Sequence, residues 1–303
     1  MKHDVAVVGA PFLDLTFEGL EELPRIGEEV LARALHVGPG GTGMQAIACA
    51  RLGLVTALVA PLADQGAALL LRETIEREGV RLLDGAPDPR AGRPGVSTTA
   101  LLATRAGVAM ATVLEGTEPS AEGVARAGAA ALLLSLGRLH LAPSGTRVFA
   151  VTGALELPQV DQAVLQRMRS ARALVANAGE AAAISGRPDS EAAARWLARH
   201  VRTAVVTRGG GGVVAAEGER VERAGAPQVD VVDATGAGDL FAAAYLWADL
   251  GGAPLRDRLA WASLYAGLSV RAPTAFAGAL RREELLGEGR QRGLTPPPDL
   301  SDS

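Results

Sequence analysis

Residues 233–239 combine glycines and carboxylates where a turn runs into a helix: Asp233-Ala234-Thr235-Gly236-Ala237-Gly238-Asp239. An apolar β-branched run (Val229, Val231, Val232) precedes them, and an Ala-rich helical pattern follows and stops at Gly251-Gly252. An extended segment, a tight turn and a helix N-terminus present unpaired N–H groups and the positive end of a helix dipole to an anion. Gly236 and Gly238 lack side chains and Ala237 has only a methyl, so a phosphate can approach the backbone. Asp239 is then open to two readings. It is a plain N-cap, or it is a base aimed at a nucleophile in front of a phosphoryl group.

Other residues bear on that choice. Asp14 sits between apolar neighbours in a segment broken by Pro24 and Gly27, and reads equally as a turn or edge-strand residue and as a functional carboxylate. Residues 38–53 are a Gly-rich turn entering a helix of small residues (Ala46, Ala48, Ala50), which again offers N–H groups to a ligand or simply packs closely. The chain's only lysine is Lys2 and no GxxxxGK[ST] sequence occurs, which argues against a P-loop fold. Nor does GxGxxG follow the first strand-like run, which disfavours a dinucleotide oxidoreductase.

Composition narrows the classes further. The net charge of −4 and the lack of a basic run with interleaved aromatics argue against nucleic acid as partner. No apolar run is long enough to span a membrane, and Val5–Val8 is too short for a signal-peptide core, so a cytoplasmic location is expected. One cysteine, Cys49, fits a reducing compartment, and four scattered histidines give no structural zinc spacing.

The elements that must position these residues follow an α/β rhythm. Residues 4–10 and Leu54–Ala60 read as strands, Ala67–Glu78 as a helix and Val80–Leu83 as a strand, which predicts a mainly parallel sheet with helices on both faces. The rhythm resumes with a helix over Ala121–Ala130, strands at Leu132–Leu136, Arg147–Val151, Ala173–Ala176 and Ala204–Thr207, and helices between them. Two excursions interrupt it. Residues 12–37 hold two short strands, and residues 96–115 read as a hairpin, Ser97–Ala103 and Val108–Leu114. Both excursions border Gly-rich turns and can meet as a lid over the strand C-termini, where α/β sheets bind ligands. The chain is read as one domain over 1–300, with a disordered tail over 294–303.

Five ordered motifs resemble the ribokinase-like (PfkB) family of carbohydrate and nucleoside kinases. DATGAGDLFAAAYL (233–246) is similar to its C-terminal signature. VGAPFLDLTFEGLEELPRIGEEV (8–30) is similar to its first strand, substrate aspartate and LPxxGE turn, and GGTGMQAIACARLG (40–53) to its Gly-Gly signature. NAGEAAAISG (177–186) resembles the NxxE segment, and VVTRGGGGVV (205–214) the strand and Gly turn near the nucleotide.

The resemblance implies a three-layer α/β fold of Rossmann-like, ribokinase-like type with a small β-sheet lid. It implies ATP-dependent phosphorylation of a hydroxyl on a sugar or nucleoside, with Mg²⁺. Asp239 would be the general base, and the N–H groups of Gly236, Ala237 and Gly238 the anion hole. Asp14, Gly40, Gly41 and Gln45 would bind the acceptor. Asn177, Thr207, Gly209 and Gly212 would border ATP, and Glu180 would place Mg²⁺. Asp233 would shape either the turn or a monovalent-cation loop. An exposed lid edge implies a homodimer through the lid.

Departures gather on the acceptor side. The family's asparagine after the Gly-Gly pair falls here on Met44 or Gln45, its GD pair appears as Ala63-Asp64, and the lid's return strand ends in Glu115-Gly116-Thr117. Sugars are favoured over nucleosides because only 3% of residues are aromatic and few can stack a base. A nucleoside kinase, or a catalytically silent sugar- or nucleotide-binding protein on the same fold, is the alternative.

Overall fold

Val5, Ala6, Val7 and Val8 are all sealed from solvent. A strand with no polar face needs cover on both sides, the setting of a central parallel strand. In the computed structural model, which describes residues 2–63, 65–86, 95–115, 118–153, 157 and 160–298, β1 (His3–Val8) takes that place. The chain then leaves the main sheet through β2 (Pro11–Leu20) and β3 (Ala34–Gly41) and returns by α1 (Thr42–Arg51) and β4 (Thr56–Val59). After α2 (Ala67–Arg77) and β5 (Arg81–Leu83) comes the second excursion, β6 (Ser97–Thr104) and β7 (Gly107–Val113). Next are α3 (Ala121–Arg126), β8 (Ala129–Ser135), β9 (Arg147–Val151), α4 (Gln162–Arg167), β10 (Ala173–Asn177), α5 (Ala178–Ser185), α6 (Ser190–Leu197) and β11 (Ala204–Thr207). The chain closes with β12 (Val213–Glu217), β13 (Arg220–Ala224), α7 (Ala237–Leu250), α8 (Leu255–Ser269), α9 (Ala275–Gly278) and α10 (Arg282–Gln291).

The large sheet has the order β13-β12-β11-β10-β9-β8-β1-β4-β5 and is parallel except for β12 and β13. β1 lies between β4 and β8, so successive strands are laid down to one side of it and then to the other. The crevice beyond the strand ends at such a reversal is where an open α/β sheet accepts a ligand. Val5 and Val7 pack into the cluster formed with α1, α2, α7, α8 and α10. Ala6 and Val8 pack into the opposite cluster, with α3, α5 and α6. These are the three layers expected.

The two excursions join as one sheet of order β3-β2-β6-β7. β2 and β6 pair in parallel, with antiparallel partners outside them, and Asp14 lies opposite Gly38 on one side and Thr99 on the other. The lid is therefore built from both excursions, and its central strand carries Asp14.

α7 is buried along its length from Leu240 to Asp249. Its run Ala242–Ala244 lets α1, itself lined with Ala46 and Ala48, lie directly against it. Close helix approach through small residues is what brings residues 45 and 239 together.

Two expectations need correction, and one expected extended segment proves to be unpaired. The helix foreseen over Ala121–Ala130 stops at Arg126, because the apolar run from Ala129 is taken into the sheet as β8. The segment before the Gly turn is extended but pairs with no strand among the described residues; it docks through the N–H groups of Val232 and Asp233 on the Val270 carbonyl, leaving Val231 exposed. The chain also stays packed past residue 294. Leu294 packs on the core and the Trp261 Nε1 donates to the Thr295 carbonyl at 2.9 Å. Residues 299–303, Asp64 and Gly116-Thr117 lie outside the described residues.

Candidate active site

Gly236 adopts φ 76° and ψ 0°, a left-handed conformation that turns the extended segment sharply into α7. A Cβ there would stand 2.6 Å from the Ala275 methyl, so conformation and space both require glycine. Asp233 fixes the start of the turn: its buried Oδ1 accepts the Thr235 N–H at 2.8 Å, an Asx turn. Ala237 already donates to the Ala234 carbonyl at 3.3 Å. The N–H groups of Gly236 and Gly238 have no acceptor among the described residues and are free to meet an anion.

Two cavities meet at this turn. The larger, about 400 Å³, lies under the lid and is lined by Asp14, Gly40, Gly41 and Met44 on one side and by Asp233, Gly236, Asp239 and Phe276 on the other. The smaller, about 220 Å³, is lined by Thr152, Asn177, Glu180, Thr207, Gly236, Gly238 and Asp239. Gly236 and Asp239 belong to both.

Asp239 is half-buried at that shared wall. Loss of water around its carboxyl pushes its pKa from 3.8 up to about 7. A hydrogen bond from Gln45 opposes the rise, and the nearby charges of Asp14 and Glu180 add to it. Asp14 behaves in the same way. Burial lifts its pKa from 3.8 to about 6, a hydrogen bond with Thr99 pulls it down, and Asp233 pushes it up. Thr112 in turn donates to Thr99 at 3.2 Å, so strand β7 supports the carboxylate from behind. Gly40 leaves room for this group: a Cβ built there would sit 2.1 Å from Asp14 Oδ2.

Asn177 and Glu180 form a capping box at the start of α5. The Asn177 Oδ1 accepts the Glu180 N–H at 2.9 Å, and the Glu180 Oε2 accepts the Asn177 N–H at 2.8 Å. Thr152 Oγ1 also donates to Oε2, at 2.6 Å. Glu180 Oε1 has no protein partner among the described residues. One free carboxylate oxygen on the wall of a phosphate-sized cavity fits Mg²⁺, which keeps most of its water and takes few protein ligands.

Residues 140–279 match the family model for pfkB family carbohydrate kinases. That match spans a little under half of the chain. Over 89 residues it is 38% identical to acarbose 7(IV)-phosphotransferase of Actinoplanes sp., a stretch covering 28% of this chain and 30% of that protein. The solved adenosine kinase from Sinorhizobium meliloti superposes with a TM-score of 0.78, at 22% identity over 96% of this chain and 100% of that one. Arabidopsis thaliana ribokinase, solved with ribose and ATP, gives 0.76 at 23% identity over 95% and 98%. At such identities the superpositions show the ribokinase-like fold with its lid.

The pfkB match contains Asn177, Glu180 and Asp239 but not Asp14 or the Gly40–Gln45 turn. Around the turn the structure assembles Asp239, Gly236 and Gly238 with Asp14, Gly40 and Gly41 on the lid side and with Asn177, Glu180 and Thr207 on the other. Gly209 and Gly212 lie apart from both cavities, in the tight turn from β11 to β12, with Gly212 buried against Ala224. Gln45 lines neither cavity; Met44 takes the wall position, and the Gln45 Nε2 donates to Asp239 Oδ1 at 2.7 Å.

Thr99, Thr152 and Phe276 are site residues that sequence reasoning passed over. Thr152 follows directly on the correctly placed β9, and a polar residue at a strand's C-terminal end was the available signal. Phe276 lies in the short helix α9, whose Ala-Phe-Ala-Gly sequence carries no polar signal for a site. Arg51 fixes it: the guanidinium sits 4.7 Å from the ring centroid, donates to the carbonyls of Phe276 and Ala279, and grips Glu78 with two nitrogens.

Proposed function

We propose that this chain is a pfkB-type, ATP-dependent phosphotransferase that phosphorylates a hydroxyl of a neutral sugar or sugar-like polyol. The observation carrying this is the shared wall. Asp239 and the Gly236 turn separate a lidded acceptor cavity from a smaller cavity beside Asn177, Glu180 and Thr207.

The acceptor lies in the larger cavity, held by Asp14 and the backbone around Gly40 and Gly41. Asp239 accepts the proton of the attacking hydroxyl. The acceptor oxygen bonds to the terminal phosphorus of ATP, the bond from that phosphorus to its bridging oxygen breaks, and ADP leaves. The N–H groups of Gly236 and Gly238, with the dipole of α7, face the charge on the transferred group. Glu180 Oε1 would hold Mg²⁺ through its waters, and the ion would neutralise phosphate charge. Asp239 is well suited as a base near neutrality, since its pKa near 7 makes it a stronger acceptor than an ordinary carboxylate. A monovalent cation would bind at the turn of Asp233. A second copy would pair on the lid's open edges β3 and β7, where Leu35, Val37, Met110 and Val113 are exposed.

Acceptor charge follows from the lining. Its charged groups among the described residues are Asp14, Asp233 and Asp239, with no Lys, Arg or His. A phosphorylated or carboxylated sugar would meet three carboxyls and no countercharge. With Mg-ATP, neutral sugars are expected to release ADP and yield a phosphorylated product, while sugar phosphates and sugar acids give neither. The nucleoside reading rests on the shared fold with the adenosine kinase, and nucleosides belong in the same assay. Thermal stabilisation by sugars without ADP release from any acceptor would replace the kinase by a silent binding protein.

A further inference from the structure

Gln45 sits in the second turn of α1, only 3% exposed, and its amide is turned away from the acceptor cavity. Its Nε2 donates to Asp239 Oδ1 at 2.7 Å. Its Oε1 is buried with no hydrogen-bond partner among the described residues. A half-satisfied amide in a packed helix interface is unfavourable, and an apolar residue of similar volume would avoid the cost. The other Asp239 oxygen, Oδ2, points toward Gly236: a Cβ on that glycine would lie 4.0 Å from it. One carboxylate oxygen is thus tied to α1 while the other faces the glycine turn.

We propose that Gln45 is a positioning residue for Asp239, holding Oδ1 so that Oδ2 is the atom presented to the acceptor hydroxyl in front of the Gly236–Gly238 turn. This rests on the phosphotransferase reading for its kinetic meaning, but the contact has its own readout. The titratable groups facing Asp239 are Asp14 from β2, Glu180 from α5 and Asp233 from the segment before α7. All three are acidic and none supplies a countercharge. Gln45 is the neighbour that favours the ionised form, and from α1 it does so without occupying space in the acceptor cavity.

The deciding experiment is a carboxyl-carbon NMR titration of Asp239 in the full chain without substrates, on wild type, Gln45→Leu and Gln45→Asn. Leu keeps the volume and removes the donor; Asn keeps the amide but shortens its reach, and serves if the Leu variant fails to fold. Loss of a hydrogen bond to a charged group is expected to raise the midpoint by about 1–2 pH units in either variant. Steady-state rates at pH 7 should then fall about tenfold or more in kcat, with the acceptor KM little changed, and recover in part as the pH is raised. An unmoved midpoint overturns the proposal, as does a raised acceptor KM with an unchanged pH profile, which would make Gln45 a substrate contact. A shifted midpoint in a protein that phosphorylates no acceptor leaves the positioning contact standing and removes the kinase reading instead.

Discussion

Replacing Asp239 by Asn is expected to slow phosphoryl transfer about 10²–10⁴-fold while leaving ATP binding intact, the range spanned by loss of a positioned general base. The amide keeps the shape and can still accept the Gln45 hydrogen bond, but it cannot take a proton. The same variant should be more stable than wild type at pH 8. The sign follows from the folded-state pKa, which burial raises from 3.8 to about 7. Between those values the folded protein holds a proton that the unfolded chain has lost. That stabilisation is complete at low pH and disappears as the pH rises through 7. At pH 8 wild type carries an ionised carboxylate in a poorly hydrated site, and the Asn variant does not. Since both cavities admit some water, a gain of a few degrees in Tm is expected at pH 8, smaller at pH 5 and vanishing only as the pH falls below the unfolded value of 3.8. Paired kinetics and thermal melts read both halves. Near-wild-type turnover would remove Asp239 as base; equal melting temperatures at both pH values would remove the desolvation account.

Substituting Gly40 by Ala attacks the other end of the acceptor cavity. The new methyl would fall 2.1 Å from Asp14 Oδ2 and 2.4 Å from its Cγ, too close for either to remain in place. The carboxylate must rotate off Thr99 or the lid must lift, and in both cases its hydrogen bonds to acceptor hydroxyls are lost. A charged hydrogen bond of about 1.5–3 kcal/mol corresponds to a rise of about 10–100-fold in acceptor KM. The KM for ATP should stay within about twofold, because Gly40 lines only the lid cavity. An acceptor KM that does not move would show that Asp14 makes no contact with substrate.

Much of this site was legible because its parts are local. The turn at 233–239 needs glycine at a left-handed position and places the first turn of α7 behind it, a relation written in seven consecutive residues. Asn177 and Glu180 also meet within one helical turn, although their hydrogen bonds are those of a capping box, which serves α5 whatever else they do. The lid was visible as two breaks in the α/β rhythm, yet not its pairing. The parallel match of β2 with β6, which seats Asp14 beside Thr99, joins segments separated by β3, α1, β4, α2 and β5. Gln45 was harder still. Its type and position suggested an acceptor contact, and only the packing of α1 on α7 turns it inward to Asp239, leaving Met44 on the cavity wall. Phe276 escaped notice because the Arg51 side chain that anchors its turn lies on a distant helix.

The two cavities also bear on the order of events. They adjoin only through Gly236 and Asp239, and one opens beneath the lid while the other lies beside α5. Under the proposed assignment neither occupant would have to pass through the other's compartment, and entry of acceptor and ATP in either order is expected. Among the described residues the one nucleophile on the shared wall is the Asp239 carboxylate, which the proposed reaction uses as a base, so the phosphoryl group would pass directly from ATP to the acceptor. Initial-rate plots against one substrate at fixed levels of the other should therefore intersect, and parallel lines would point to a stop on the protein along the way.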